Sequence, residues 1–590
     1  MMKIMKVPVH AGSLAFALLS CSGEGADTPR PADGPSVDAS RAADVPGADV
    51  LTDGAAIVDI AAIVDIATIV DAAVMPPDGP TFARAHCTAL GLPQRAFADG
   101  PYGEHRHDLA DDFTLPLISG EDWNLRASFT GCDVYVFIPD TQPISQINSA
   151  SIWTRDLDLL VARSPRNAHY FFVSRRNSRA GAAALNPMKR RIADMLDGLD
   201  AEKRDHWQSR LHLVSDDASA LNSYIGRVTA NGIGLAGFMI DREQRLRGIG
   251  SLSDVTRSSQ RLQDAGGWPW EANLAYVTHD VRYANALALR HDERQALPTT
   301  VVELFRGEVV SEFAEVEVEL PDALVMDTFD TFEIEIDMRC PNPDAPEFDN
   351  CGAWDYLAYL YVYDEAGMAV QLGRFITSYH RETHWIADVT PMMWHLRAGG
   401  MRRFKWLWAP PWNVQPTETR LKLHFSNRGR GMRPAEPVFL YGGGGFGSMY
   451  NVGRVPTVVD IPADAKKVEL WAIITGHGAD QGQCAEFCDH QHAFTIEGHE
   501  HRRTHTTVGQ AEGCVSELER GMVPNQWGTW WFGRGGWCPG QQVDPWVVDV
   551  TDEVTPGMPA TVEYRGLFGG ADPTDGHGNI DMISYLTVYR

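Results

Sequence analysis

The sequence predicts a multidomain protein in which one α/β domain is followed by two all-β sandwiches. Its 590 residues are too many for a single hydrophobic core. Residues 85–255 alternate short apolar runs with helix-like periodicity, which is typical of α/β architecture. From Val301 to the C-terminus the pattern changes to short alternating strands separated by turn residues. That stretch is long enough to need two sandwiches.

The composition indicates packed cores and an acidic protein. The chain is 44% hydrophobic, and its 51 Lys and Arg against 78 Asp and Glu give a formal net charge of −27. No basic stripe interrupts this background, so no surface suits a phosphate backbone, and nucleic acid is excluded as an expected partner.

The N-terminus predicts export. Lys3 and Lys6 precede an apolar run at residues 13–19 that is too short to span a bilayer. The run ends in Leu18-Leu19-Ser20-Cys21, which resembles the bacterial lipobox. That resemblance implies a signal peptide over residues 1–20 and a lipid on Cys21, which would anchor the protein in the outer membrane or at the cell surface. The alternative is an ordinary signal peptide with an incidental cysteine.

Residues 21–80 are predicted to be an acidic, low-complexity tether. They are rich in Ala, Asp, Pro and Gly, and they contain Ile-Val-Asp at residues 57–59, 63–65 and 69–71. A small β-helical or binding repeat is the alternative. Three copies are too few to build a core, so the tether is preferred.

The α/β domain is expected over residues 81–255, and residues 256–300 are expected to connect it to the β half. Asn186 is predicted to cap a helix that begins at Pro187, and residues 237–250 to form a terminal hairpin. The apolar face of that helix comprises Met188, Ile192, Met195, Leu196 and Leu199. Buried strands are predicted at Val134–Ile138, Tyr170–Val173 and Leu211–Val214.

The order of these elements, with residues 112–117 ahead of the first central strand, resembles that of thioredoxin-like redoxin domains. Redoxin chemistry needs a reactive thiolate in the loop after the central strand. That loop, residues 139–143, contains no cysteine. Cys132 lies before the strand, and its nearest unassigned partner is Cys87. A structural disulfide and a redox-inactive domain are therefore expected.

The β half carries six cysteines whose spacing suggests local pairs, each closing a short loop at a sheet edge. Alternating strands are predicted at Val309–Leu320 and Thr331–Ile336. In an oxidising compartment four disulfides would use every cysteine except Cys21. The local pairs are Cys340 with Cys351, Cys484 with Cys488, and Cys514 with Cys538.

Five segments around these cysteines carry a resemblance to a known family. They are Cys340-Pro341-Asn342, Cys351-Gly352-Ala353-Trp354-Asp355, Gly373-Arg374-Phe375-Ile376-Thr377-Ser378-Tyr379, Cys484-Ala485-Glu486-Phe487-Cys488 and Arg534-Gly535-Gly536-Trp537-Cys538-Pro539-Gly540. In this order they resemble the peptide-N-glycosidase F amidases. The resemblance implies two jelly-roll domains, over residues 301–445 and 446–590, and it does not reach the first 300 residues.

The resemblance implies a cofactor-free hydrolysis of the amide that joins an asparagine side chain to the first N-acetylglucosamine of an N-glycan. N-glycoproteins or glycopeptides are then the expected substrates. The principal catalytic carboxylate falls on Asp355, a second carboxylate on Glu486, and an arginine of the substrate site on Arg534. Such a reaction needs a base beside a water and a polar group that stabilises the tetrahedral intermediate.

Two positions depart from the family pattern. The family's third acidic residue falls on Ala409 or Pro410, and Glu418 replaces it only if the strand register slips or the loop folds back. The family's arginine after the catalytic aspartate is replaced by Tyr356. A changed substrate, or a glycan-binding protein without catalysis, is therefore the first alternative.

A histidine cluster after Cys488 supports a further alternative, and it comprises His490, His492, His499, His501 and His505. A His-x-His pair on a strand places both rings on one face at metal-ligand spacing. The double jelly roll resembles that of copper type II ascorbate-dependent monooxygenases, which implies copper on His490, His492 and Met522. Against this, His492 also matches a histidine of the glycosidases, which need no metal. A surface histidine run is expected instead, and an oxidising compartment disfavours a zinc site that includes Cys484 and Cys488.

Tryptophans cluster near the motif segments, and aromatic faces stack on the apolar faces of sugar rings. One or two of Trp354, Trp408 and Trp530 are expected to line the substrate cleft, and many of the others to be core residues. The cluster comprises Trp406, Trp408, Trp412, Trp527, Trp530, Trp531 and Trp537.

Overall fold

The computed structural model describes residues 81–139, 153, 157–173, 178–215, 224–230, 237–250, 274–479, 483–574 and 576–590. The predicted signal peptide, Cys21, the tether and the loop at residues 140–143 lie outside the described residues. Within those ranges, no helix has the length and apolar character needed to cross a membrane.

The first domain is built on a mixed sheet. Its strands are β3 (Val134–Pro139), β4 (Ala168–Val173), β5 (Leu211–Leu213), β6 (Phe238–Ile240) and β7 (Leu246–Gly248), preceded by the hairpin of β1 (Thr114–Pro116) and β2 (Asp122–Asn124). The strand order is β5-β4-β3-β6-β7, with β3, β4 and β5 parallel and β6 and β7 antiparallel. The predicted buried strands and the terminal hairpin are confirmed.

Successive residues of β3 point to different cores, as expected of a strand buried on both faces. Val134, Val136 and Ile138 pack into one core, whereas Tyr135 and Phe137 pack into the other. The helices of this domain are α1 (Thr81–Ala89), α2 (Leu125–Ser128), α3 (Leu157–Arg163), α4 (Ser178–Asp197), α5 (Ala201–Gln208) and α6 (Tyr224–Ala230).

The prediction that Asn186 caps a helix is wrong, because α4 begins at Ser178 and contains Pro187 in its interior. Four of the five residues at 180–184 are alanines, the residue with the highest helix propensity, which favours helix upstream of the proline. The predicted apolar face is confirmed, since Met188, Ile192 and Met195 are buried.

The expected connecting segment contains a packed helix, α7 (Val277–Gln295), preceded by a 3-10 turn at Leu274–Tyr276. Val277, Val281 and Ala284 of α7 share one hydrophobic core with the first domain. That core also includes the loop between Cys514 and Cys538, so the segment joins two parts of the chain and does more than link them in sequence.

The first sandwich consists of two four-stranded sheets, ordered β13-β10-β15-β8 and β12-β11-β14-β9, with all strand pairs antiparallel. A turn separates β8 from β9, so the single strand expected over Val309–Leu320 is wrong. The strands are β8 (Thr299–Val310), β9 (Phe313–Leu320), β10 (Thr331–Arg339), β11 (Leu357–Tyr363), β12 (Ala369–Ile376), β13 (Thr383–Asp388), β14 (Gly400–Leu407) and β15 (Thr417–Ser426); α8 (Ala323–Met326) and a 3-10 helix at Thr390–Leu396 lie between them.

The second sandwich has the sheet orders β16-β23-β18-β21 and β17-β22-β19-β20. Its first strand ends at Gly445, so the sandwich begins before the expected boundary at residue 446. The strands are β16 (Val438–Gly445), β17 (Thr457–Asp460), β18 (Lys467–His477), β19 (His490–Ile496), β20 (His499–Arg503), β21 (Trp546–Asp549), β22 (Pro559–Phe568) and β23 (Asn579–Tyr589); 3-10 helices occupy Val515–Arg520 and Thr551–Glu553.

A buried arginine joins the two sandwiches. Arg374, at the end of β12, donates to the Asp581 carboxylate at 2.7 Å and to the Thr475 hydroxyl at 2.9 Å, both in the second sandwich. Tyr359 of the first sandwich donates to the same carboxylate at 2.6 Å. These contacts fix the ends of the sandwiches side by side.

All four predicted disulfides are confirmed. They are Cys87–Cys132, Cys340–Cys351, Cys484–Cys488 and Cys514–Cys538. The last three close loops at the end of the sandwiches where the candidate site lies.

Candidate active site

Asp355 lies in the loop between the Cys340–Cys351 disulfide and β11. Thr377, which follows β12, holds this loop on both sides of the aspartate. Its hydroxyl donates to the Trp354 carbonyl at 2.6 Å and accepts from the Tyr356 N–H at 2.7 Å. The Asp355 side chain is 15% exposed, so its carboxylate is largely desolvated but still reaches the surface.

Glu486 lies in the short loop closed by Cys484–Cys488. The Cys484 carbonyl accepts hydrogen bonds from the N–H groups of Phe487 and Cys488, which tighten the loop into a turn. The Glu486 carbonyl accepts from the Gly535 N–H at 2.7 Å. This loop is therefore attached to the segment that carries Arg534.

Arg534 brings the two carboxylates together. Its Nε donates to Glu486 Oε1 at 3.1 Å, and its Nη2 lies 3.4 Å from Asp355 Oδ2. The guanidinium is only 1% exposed. Asp355 comes from the first sandwich and Glu486 from the second, so this ion pair network spans the junction of the two domains.

The remaining N–H groups of Arg534 are used within the protein. Nη1 donates to the carbonyls of Thr529 and Phe532 at 3.1 and 3.0 Å, and Nη2 donates to the Thr529 hydroxyl at 3.2 Å. A guanidinium has five N–H donors, and these contacts occupy them all. The arginine thus holds both carboxylates, and its assignment to the substrate site stays a prediction.

Tyr379 is a member of the site that sequence reasoning did not single out. Its hydroxyl accepts from Arg534 Nη2 at 3.5 Å, and the charge of Asp355 acts on the phenol. Gln526 fixes the tyrosine by accepting its backbone N–H at 2.9 Å. Burial and the Asp355 charge hold the pKa of Tyr379 well above its usual value, so the phenol stays protonated. The only sequence signal was its position at the end of a family segment.

Burial raises the pKa of Asp355 above that of a free aspartic acid, because the charged form loses hydration. The positive charge of Arg534 and the Tyr379 hydroxyl act in the opposite direction and favour the ionised form. A partly desolvated carboxylate beside a fixed cation is a stronger base than an exposed one and has a defined orientation.

Ala409 and Pro410, the two positions expected for a third carboxylate, are not acidic. Ala409 is buried, and Glu418 is bound to Arg420 on β15, with Nε 3.0 Å from its carboxylate. Glu418 pairs with Arg339 and Val309 on the neighbouring strands. Asn413, from the loop that contains Ala409, donates to the Tyr356 hydroxyl at 2.8 Å beside the Asp355 loop.

Two tryptophans near the site are exposed to solvent, whereas two that were candidates for lining the cleft are buried. Trp354 is 52% exposed and Trp412 is 60% exposed, so both present aromatic faces to solvent. Trp408 and Trp530 are each 0% exposed, so of the three tryptophans among which one or two were expected to line the cleft, Trp354 alone is open to solvent. Trp408 packs in the core of the first sandwich, and Trp530 packs in the core shared with α7. Burying these large apolar rings is more favourable than exposing them to water.

The expected surface histidine run is wrong for its main members. His490, His492 and His505 are buried, and burial lowers the pKa of His490 to about 3. Met522 lies in the core that includes α7, where its thioether accepts from Gln526, and does not join the histidines. Cys484 and Cys488 form a disulfide, which removes them as zinc thiolates.

Comparisons with known proteins concern the same half of the chain. Residues 446–587 match the family model described as Peptide-N-glycosidase F, C terminal. The peptide-N(4)-(N-acetyl-beta-D-glucosaminyl)asparagine amidase F of Elizabethkingia miricola is 26% identical over 278 residues, or 44% of this chain and 74% of that protein.

Solved structures align with a similar share of this chain. A peptide-N(4)-(N-acetyl-beta-D-glucosaminyl)asparagine amidase covers 50% of this chain and 96% of its own, with 21% identity and a TM-score of 0.40. PNGase F, a glycosylasparaginase from Flavobacterium meningosepticum, covers 49% of this chain and 96% of its own, with 21% identity and a TM-score of 0.38.

Proposed function

We propose that this peptide-N-glycosidase F-like protein hydrolyses the amide between an asparagine side chain and the first N-acetylglucosamine of an N-glycan. One observation carries the proposal: Asp355 of the first sandwich and Glu486 of the second bind the same buried guanidinium. The reaction class comes from the name of the Elizabethkingia miricola relative, an asparagine amidase.

In this proposal Asp355 is the base that activates water. The water oxygen attacks the amide carbon as its proton passes to the carboxylate, and the carbonyl becomes an oxyanion. The protonated Tyr379 hydroxyl lies beside Asp355 and is the available donor to that oxyanion. The C–N bond then breaks as the proton held by Asp355 passes to the nitrogen, which regenerates the base, and the products are aspartate and a glycosylamine.

Glu486 completes the site in a different way. It is bound to Arg534 Nε, on a loop that the Cys484–Cys488 disulfide closes. Its side chain is 19% exposed, so it remains accessible to a sugar hydroxyl or amide N–H. The exposed ring of Trp354, next to Asp355, is the surface on which a pyranose would stack.

A glycan-binding protein without catalysis is the second candidate. The observation that favours it is the loss of the third carboxylate, since Ala409 is buried and Glu418 binds Arg420. In that case Trp354 and Glu486 would retain a glycan while the amide stays intact.

Incubation of the full chain with an N-glycosylated peptide separates these functions. The amidase converts the glycosylated asparagine to aspartate, and in water labelled with heavy oxygen the new carboxylate carries one labelled atom. Mass spectrometry detects both changes. Retention of the peptide on the immobilised protein without conversion supports the glycan-binding candidate and contradicts the amidase.

We further propose that residues 81–255 form a redox-inactive thioredoxin-like domain. The strand order β5-β4-β3-β6-β7 supports this, and the domain's two cysteines are joined as Cys87–Cys132. Export and lipid attachment at Cys21 are part of the same proposal. A Cys21→Ser variant is expected to lose incorporation of labelled palmitate, whereas an unchanged label contradicts lipidation at this residue.

A further inference from the structure

Three histidines form a buried cluster behind the candidate active site. His490 and His492 point to the same side of β19, and His505 follows β20. One imidazole nitrogen from each ring lies within 4.8 Å of the others. Their exposed fractions are 0%, 0% and 5%, so the rings meet in a desolvated pocket inside the second sandwich.

Hydrogen bonds orient two of these rings. His490 Nδ1 lies 2.6 Å from His492 Nε2, and the other nitrogen of His492 lies 2.7 Å from the Tyr564 hydroxyl. Tyr564 is in turn 2.8 Å from the Tyr450 hydroxyl. Histidines that bind metals are held in this way, by a partner on the nitrogen that faces away from the ion.

The remaining nitrogens leave the cluster open to a ligand. His505 Nε2 is buried and has no hydrogen-bond partner among the described residues. His490 Nε2 is also buried without a hydrogen-bond partner in the described part of the chain, and it lies beside the Ala485 carbonyl, which favours a proton on that nitrogen. An unpartnered buried imidazole nitrogen is costly unless something binds it.

We propose that His490, His492 and His505 bind one divalent transition-metal ion, with Zn²⁺ the best fit. Zinc favours tetrahedral sites with three imidazoles, and neutral imidazole is the ligand form that a buried site supplies. The proton between His490 and His492 moves to His490 Nε2, opposite the Ala485 carbonyl, so both facing nitrogens present lone pairs. No net charge is lost from the ligands.

Zinc binding requires only a small movement of the histidine rings. Zinc–nitrogen bonds of about 2.0–2.1 Å place two tetrahedral ligand nitrogens about 3.3 Å apart. The nitrogens of His490 and His492 are 2.6 Å apart and must separate by about 0.7 Å, which a rotation of the His490 ring provides. Met522 and the cysteines of the earlier alternatives take no part.

The site has a structural consequence for the carboxylates. His490 packs against the backbones of Ala485 and Gly535, the neighbours of Glu486 and Arg534. The Gly535 N–H donates to the Glu486 carbonyl, and the Gly476 N–H donates to the Gly535 carbonyl, each at 2.7 Å. An ion on the histidines therefore stabilises the loops that hold the site, whatever reaction the site performs.

The test uses the full chain, stripped with a chelator, incubated with Zn²⁺ alone and dialysed. We expect one retained zinc per chain by elemental analysis, and X-ray absorption showing imidazole nitrogens at about 2.0 Å. The thermal unfolding midpoint should rise on loading, because an ion bound only by the folded state stabilises it. Co²⁺ in the same site should give the strong visible bands of a tetrahedral complex.

A matched pair of variants locates the ion. His505→Gln should abolish the stoichiometric zinc and the Co²⁺ bands, while His499→Ala, an exposed histidine on β20, should retain both. Wild-type protein that retains no zinc overturns the proposal, as does a folded His505→Gln protein that still holds one ion. If His505→Gln does not fold, wild-type X-ray absorption without imidazole ligands overturns it instead. Because metal content is measured without glycopeptide, failure of the amidase proposal does not affect this result.

Discussion

At the residue scale, the candidate site depends on how three ionisable side chains divide their roles. Asp355 and Glu486 keep partial access to solvent, at 15% and 19% exposure, whereas Arg534 is 1% exposed. In the proposed function the carboxylates are therefore the groups open to substrate, and the arginine holds them both. An arginine suits this position because its fork binds two partners in a rigid plane.

Replacement of Asp355 should remove the base. Asp355→Asn keeps the shape but cannot accept the water proton, and kcat/KM for glycopeptide hydrolysis should fall by about 10²–10⁴-fold. Asp364→Asn, at an exposed turn of the same sandwich, is the control and should hydrolyse at the wild-type rate. Release that survives Asp355→Asn would move the catalytic role to another residue.

Replacement of Arg534 should shift the pH dependence. Its charge lowers the pKa of Asp355 against the effect of burial, so Arg534→Gln raises that pKa further. The reactive form is the ionised carboxylate, so the acidic limb of the kcat/KM profile should move to higher pH. Arg534→Lys keeps the charge and should shift the limb less. An unchanged limb in folded Arg534→Gln would show that another group controls it.

At the element scale, glycines allow close packing between β18 and the loops that carry the site. A Cβ on Gly476 would collide with His490 Nε2 and with the Ala485 carbonyl. Gly535 is confined in the same way by the Ala485 carbonyl and the His490 ring. The short loop around Glu486 is thus fixed by its disulfide on one side and by backbone contacts on the other.

The corresponding prediction compares two glycines that both lie in strands. Gly476→Ala should lower the free energy of unfolding by about 1–3 kcal/mol, because the rigid ring and the backbone cannot move away. Gly445→Ala on β16, where nothing lies within 4 Å of an added Cβ, should change it little. Chemical denaturation measures both. Equal free energies of unfolding for the two variants would show that the His490 ring and the Ala485 carbonyl move aside at little cost.

At the scale of the whole molecule, one hydrophobic core crosses the expected domain boundaries. It includes Val134 and Trp207 of the first domain, Val281 of α7, and Trp530 and Trp531 of the loop that precedes Arg534. Arg381 of the first sandwich adds polar contacts to this junction, with Asp280 of α7 at 3.3 Å and Glu347 at 2.9 Å. The first domain and α7 therefore support the loop that carries Arg534.

A fragment of residues 301–590 should consequently be poorly folded. It exposes Trp530 and Trp531, which are 0% and 1% exposed in the full chain, together with Leu518 and Met522. We expect the fragment to bind a hydrophobic dye and to elute as aggregates, in contrast to the full chain. A monomeric fragment with cooperative unfolding and no dye binding would show that the sandwiches are independent of the first domain.

The local features of this protein follow from its amino-acid sequence. Alternation and periodicity predicted the buried strands of the first domain and β10, since each pattern reflects which face of one element is buried, but they missed the turn between β8 and β9. Cysteine spacing indicated the three disulfides of the β half, whose sequence separations are 4, 11 and 24 residues. The motif segments indicated Asp355 and Glu486, because the residues around each carboxylate are contiguous.

Contacts between residues that are distant in sequence depend on the folded chain. Whether Trp408, Trp530 and His490 face solvent depends on what packs against them, and all three are buried. Tyr379 joins Asp355 and Arg534 across 155 residues of sequence, and the Arg534 donors are all used by neighbours that the fold supplies. These side chains become buried, and these distant residues come into contact, only when α7, the loops and both sandwiches pack together. No local sequence pattern encodes that packing.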